Sequence, residues 1–119
     1  MGNNFGFIGV VQDIQFQPSQ LIGIEQNEYV IEILKEDGEL VYEVIPVSIK
    51  EDGENIIPGS FLAQYVDEIK RVVPESEYLV QHKDIFELMK DHTFRWKQKR
   101  MGPHYQDIEP KLYWIPTPP

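Results

Sequence analysis

The hydrophobic residues of this chain change their spacing at Pro58-Gly59-Ser60. Before that point they recur at every second position, and after it at every third or fourth. A period of two belongs to a strand with two unlike faces, and a period near 3.6 to a helix with one apolar stripe. A chain with one such switch is expected to fold as α+β. The expected order is an N-terminal antiparallel β-meander or small SH3-like half-barrel, followed by two amphipathic helices with a short strand between them.

The strand-rich part is placed at residues 5–57. Phe5 to Phe16 mixes β-branched and aromatic residues and meets the turn-like Gln17-Pro18-Ser19-Gln20. Leu21 to Ile24 is a short run, and Glu28 to Leu34 carries Tyr29, Ile31 and Ile33 on one face. Asp37-Gly38 signals a hairpin. Glu39 to Lys50 continues the alternation, and Pro46 marks it as bent, bulged or at an edge. Lys35-Glu36-Asp37-Gly38-Glu39 returns as Lys50-Glu51-Asp52-Gly53-Glu54, which reads as two acidic turns at successive hairpin ends.

The helical part is placed at residues 60–101. Ser60 is an expected N-cap, and Phe61, Leu62, Tyr65, Val66, Ile69 and Val72 form one stripe of a helix over 61–73 that Pro74 ends. Tyr78-Leu79-Val80 is short enough for a strand. Asp84 and Glu87 resemble a capping pair opening a second helix over 84–100, with Ile85, Leu88, Met89, His92 and Trp96 inward. Residues 103–119 form an extended aromatic and proline-rich tail.

At 119 residues, 41% hydrophobic and 26% charged, the chain is expected to be one globular domain. It has no cysteine, which excludes disulfides, thiolate catalysis and cysteine-bound zinc. Met1-Gly2-Asn3-Asn4-Phe5 lacks the basic and apolar regions of a signal peptide, and no apolar run approaches the roughly 20 residues of a membrane helix. A cytoplasmic protein without membrane contact is expected.

The formal charge is −9, unevenly placed. Residues 1–80 carry 4 basic and 15 acidic side chains, whereas residues 81–119 carry 7 and 5. Such a field attracts basic partners and repels phosphates. Dinucleotide, Walker, nucleophile-elbow and zinc-protease motifs are absent, so no catalytic residue, metal or cofactor is assigned.

Three functions follow from this pattern. The first is a small acidic, non-enzymatic binding protein, of adaptor, inhibitor or immunity type, that holds a basic macromolecule. Its expected contacts are Glu36, Asp37, Glu39, Glu51, Asp52, Glu54 and Trp114, with Phe7 and Tyr29 as further apolar groups. The second is nucleic-acid or phosphate-ligand binding through residues 90–105, where Lys90, Arg95, Lys97, Lys99 and Arg100 alternate with Trp96 and His104. The third is a small hydrolase or nuclease using His82, His92 or His104.

Overall fold

Gly38 has φ of +90°, the left-handed conformation that lets a tight turn reverse the chain between two strands. Those strands are β2 (Asn27–Lys35) and β3 (Leu40–Pro46), and β1 (Phe7–Pro18) pairs antiparallel with β2 on its other side. The computed structural model describes residues 6–19, 26–51, 53, 55–102 and 109–118. The expected run Leu21 to Ile24 lies outside them. After β3 come α1 (Phe61–Val72), a 3-10 turn (Pro74–Tyr78), α2 (His82–Glu87), β4 (Thr93–Met101) and β5 (Lys111–Thr117). The result is an α+β fold around one five-stranded antiparallel sheet of order β3-β2-β1-β4-β5.

The expected meander is present as β1, β2 and β3. The sheet does not stop there. β4 and β5 come from the half expected to be helical, so the SH3-like half-barrel of the first half alone is replaced by strands drawn from both halves.

The second helix is the largest correction. It ends at Glu87 rather than near residue 100. Phe94 and Trp96 are buried while Arg95 and Lys97 are exposed, which is a strand period. Ile85, Met89 and Trp96 also fit a helical stripe, so short-range spacing alone does not choose. Strand β1 chooses: Asp91, held at φ 68°, donates its N–H to the Val11 carbonyl, and Val11 N–H donates back to the His92 carbonyl. His92, expected on an apolar helix face, is exposed. Tyr78-Leu79-Val80 is not a strand either. It leaves the 3-10 turn with Tyr78 and Val80 among the most exposed apolar side chains described. Of the expected extended tail, Lys111–Thr117 is extended as expected but is a paired strand, while 103–108 and 119 lie outside the described residues.

A register shift between Val11 and Asp13 bulges β1, so that both Val11 and Ile14 turn inward. They join Tyr29, Ile31, Ile33 and Ile45 in one core cluster with Phe61, Leu62, Tyr65 and Ile69 of α1. The Ser60 hydroxyl caps α1 by accepting the Ala63 N–H at 3.1 Å. Tyr29 stacks on Phe86 with ring centres 4.0 Å apart, and Phe86 stacks on Tyr65, which ties sheet and helices together.

The two outer strands, β3 and β5, approach one another without a ladder. Glu43 of β3 accepts the Trp114 N–H at 2.5 Å and the Val44 N–H at 3.2 Å. Tyr65 of α1 donates its hydroxyl to the Trp114 carbonyl at 2.8 Å. Side chains therefore satisfy edge groups that a neighbouring strand would otherwise take. Pro46 and Pro116 fit the same picture, since each lies on an outer strand where its missing N–H costs no ladder bond.

Among the described residues no helix is long and apolar enough to cross a membrane.

Candidate interaction face

Alternation in β2 and β3 sends Tyr29, Ile31, Ile33 and Ile45 into the core and leaves a second face outside. On that face Val30 lies opposite Val44, Glu32 opposite Tyr42, Leu34 opposite Leu40 and Glu28 opposite Pro46. Leu40, Tyr42 and Val44 are 43%, 53% and 40% exposed. They are three successive outward positions of one strand, so they form a continuous apolar stripe rather than scattered residues.

The stripe is bordered by carboxylates. Glu32 hydrogen-bonds the Tyr42 hydroxyl and thereby raises its pKa, with desolvation and the Glu32 charge adding to the effect. Glu28 accepts from Gln17 Nε2 at 3.3 Å, and Asp13 lies 3.6 Å from Lys90 Nζ. No Lys or Arg occurs in Phe7–Pro18, in 27–34 or in Leu40–Pro46. The face is apolar and mostly acidic; Lys111 of β5 comes beside Glu28, Val44 and Pro46 at one end of it, and Lys90 meets Asp13.

One acidic turn is the tip of the β2–β3 hairpin, and the other, past the far end of β3, closes the Ile49–Ile56 bridge. Glu36, Asp37 and Glu39 are exposed at one end. Lys35 partly offsets them, at 3.1 Å from Glu39 and 3.7 Å from Asp37. Glu51 is exposed at the other end, while Asp52 and Glu54 lie outside the described residues. Trp114 is half-buried and packs edge-on to Phe7 at 4.8 Å, and Tyr29 is buried. The exposed apolar residues on this face are instead Leu40, Tyr42 and Val44, which the sequence reading did not single out. Their signal is that residues 40–45 are apolar at both parities except at Glu43, one set more than a half-buried strand needs.

In the basic segment, cations and rings part company. Trp96 is fully buried and donates Nε1–H to the Gly9 carbonyl at 3.0 Å, and Phe94 is buried beside it. Neither ring is available to stack on a base. Lys99 is ion-paired with Glu68, a buried carboxylate that also meets Arg71 at 3.4 Å, and Lys90 pairs with Asp13. Arg95, Lys97 and Arg100 remain exposed, and His104 lies outside the described residues.

The histidines have separate surroundings. His82, the first residue of α2, is only 6% exposed and lies 2.5 Å through Nδ1 from the Tyr29 hydroxyl. Burial lowers its pKa, with the Lys83 charge adding to this. Burial also pushes the Tyr29 phenol upward, helped by Glu87 and Asp84. His92 is exposed and stacks on Phe94. Among the described residues no three His, Asp or Glu side chains are grouped to hold a metal.

No protein-family model matches the chain, and no curated protein matches it either.

Proposed function

We propose that the protein acts by stoichiometric binding, docking a basic protein partner on the outer face of β2 and β3. The observation that carries this reading is the exposed stripe Leu40–Tyr42–Val44, bordered by Glu28 and Glu32 and flanked at its ends by acidic turns. Apolar contacts at the centre of such a face supply affinity, and the surrounding carboxylates select and steer a cationic partner.

The strand order, with α1 between β3 and β4, is also the connectivity of a partly open five-stranded barrel of the OB type, which uses its β2–β3 face for ligands. Likeness of fold does not choose the ligand. Charge favours a basic ligand: the carboxylates that border the stripe disfavour a phosphate backbone.

The test is an NMR titration with an extended peptide of alternating Lys and Leu, followed by partner capture from host lysate. Shifts centred on Leu40, Tyr42 and Val44, with capture lost in Tyr42→Lys, support the reading. Recovery of nucleic acid as the main ligand, abolished by changing Arg95, Lys97 and Arg100, overturns it.

A further inference from the structure

A cleft of about 310 Å3 opens where β1, the start of α2 and the turn after β3 meet, away from the outer face of β2 and β3. Its walls include Phe16, Asn27, Ile49, Gln81, His82 and Lys83. Phe16 and Ile49 make one part apolar, and the other four residues bring hydrogen-bond donors.

His82 is the informative member. Its Nδ1 is taken by the Tyr29 hydroxyl. That bond is compatible with either ring tautomer, and the site uses the one in which the hydroxyl donates its proton to Nδ1. The proton of the neutral ring then resides on Nε2. Among the described residues Nε2 has no hydrogen-bond partner, yet it is not among the buried unpaired atoms, of which Tyr113 Oη is the single described case. It therefore reaches the cleft that His82 lines. A side chain more than nine-tenths buried, oriented by a second buried group and with one free N–H at a cleft wall, is held in place as a donor.

Lys83 adds the charge. Its Nζ lies 4.5 Å from the centre of the Phe16 ring, which holds the ammonium at the same wall. Glu87 and Asp84 of α2 are the carboxylates whose charges reach this pair, raising the Tyr29 pKa after the larger effect of burial.

We propose that this cleft binds a small organic anion. Its carboxylate or phosphate group is held by His82 Nε2–H and the Lys83 ammonium, and its apolar part lies against Phe16 and Ile49. Gly53, from the acidic turn that flanks the docking face, also lines the cleft, but the site uses none of the stripe residues Leu40, Tyr42 and Val44, so its failure leaves that reading untouched.

The test is an NMR titration of the full chain with phenyl phosphate, benzoate, inorganic phosphate and, as a neutral control, phenol. Saturable shifts of the His82 ring signals are expected for the anions, with whichever of phenyl phosphate and benzoate binds tighter identifying the headgroup. Phenyl phosphate should bind at least about threefold tighter than inorganic phosphate, because only it fills the apolar part. Lys83→Ala should weaken binding roughly tenfold, and Lys70→Ala on α1 should leave it unchanged. His82→Gln removes a buried group and is informative only if it folds, so Lys83→Ala and Gln81→Ala carry the comparison. Three results overturn the proposal: no saturation below about 10 mM for any anion, phenol binding as well as the anions, or equal losses in Lys83→Ala and Lys70→Ala.

Discussion

Glu43 joins two strands that share no ladder: its carboxylate takes the Trp114 N–H of β5 at 2.5 Å while its own strand, β3, forms the opposite edge of the sheet. The same carboxylate takes the Val44 N–H at 3.2 Å. Tyr65 completes the join from α1. The position is costly for a charge. Burial raises the Glu43 pKa from 4.5 to about 6, against the lowering effects of the two N–H donors and of Lys111. Glu43 also pushes the neighbouring Tyr113 phenol upward, to about 12, after the larger effect of burial.

A pH dependence follows from that shift. Between pH 4.5 and 6 the folded chain keeps a proton on Glu43 that the unfolded chain has released. The stabilisation from this group is therefore full below pH 4.5 and is lost as pH rises through 6. Its size is on the order of 2 kcal/mol. Urea unfolding of wild type and Glu43→Gln at pH 4.5 and 7.5 measures it, since other titrating groups cancel in the difference. Wild type should lose about 2 kcal/mol relative to Glu43→Gln on going to pH 7.5. A difference that does not move with pH shows that the carboxyl titrates as it would in water.

Gly6 admits no side chain. A Cβ there would strike the Trp96 carbonyl oxygen and come within 2.6 Å of Trp114 Cζ3. Gly6→Ala is expected to destabilise by about 1–3 kcal/mol, because backbone and a packed ring must both move. Thermal melts give the answer, and an unchanged Tm would mean that the start of β1 packs elsewhere.

Trp96 is held by its nitrogen as well as its volume, through the bond to the Gly9 carbonyl at 3.0 Å. Trp96→Phe removes that donor from a buried carbonyl and leaves part of the indole's volume unfilled. The expected cost is about 1–3 kcal/mol, read from chemical denaturation. A near-neutral result would show that water replaces the indole N–H.

Tyr42→Lys should weaken partner capture and leave unfolding within about 0.5 kcal/mol of wild type, because Tyr42 is more than half exposed. Reversing Glu36, Asp37 and Glu39 to Lys should instead slow association. Raising salt should slow it further in wild type, as the Debye length falls from about 10 Å at 0.1 M to about 3 Å at 1 M. Surface-based kinetics separate these effects, and an on-rate insensitive to salt would exclude electrostatic steering.

Local patterning was enough for the elements whose neighbours in sequence are also their neighbours in space. Gly38 sets the β2–β3 turn, the alternation of Tyr29, Ile31 and Ile33 sets the buried face of β2, and Ser60 with its apolar stripe sets α1. The two acidic turns were legible for the same reason, since a charged Gly-containing turn stays at the surface. The face between them was not. Leu40 and Val44 look like core residues until it is known that α1 and β5 gather at the inner side of β3 and that the described fold leaves the outer side open.

The amino-acid sequence by itself determined the α+β class, the acidity and the first three strands and α1, because each rests on periods and turns spanning a few residues. Tertiary structure decided the rest. Thr93 to Met101 became a strand because the free edge of β1 offered backbone partners at Phe7–Val10, and a ladder satisfies N–H and C=O groups that a short helix end would leave open. The fate of His82, Trp96 and Glu43 was settled the same way. Each is bound by a residue between 53 and 87 positions away, at Tyr29, Gly9 and Trp114, a separation over which no local period carries information.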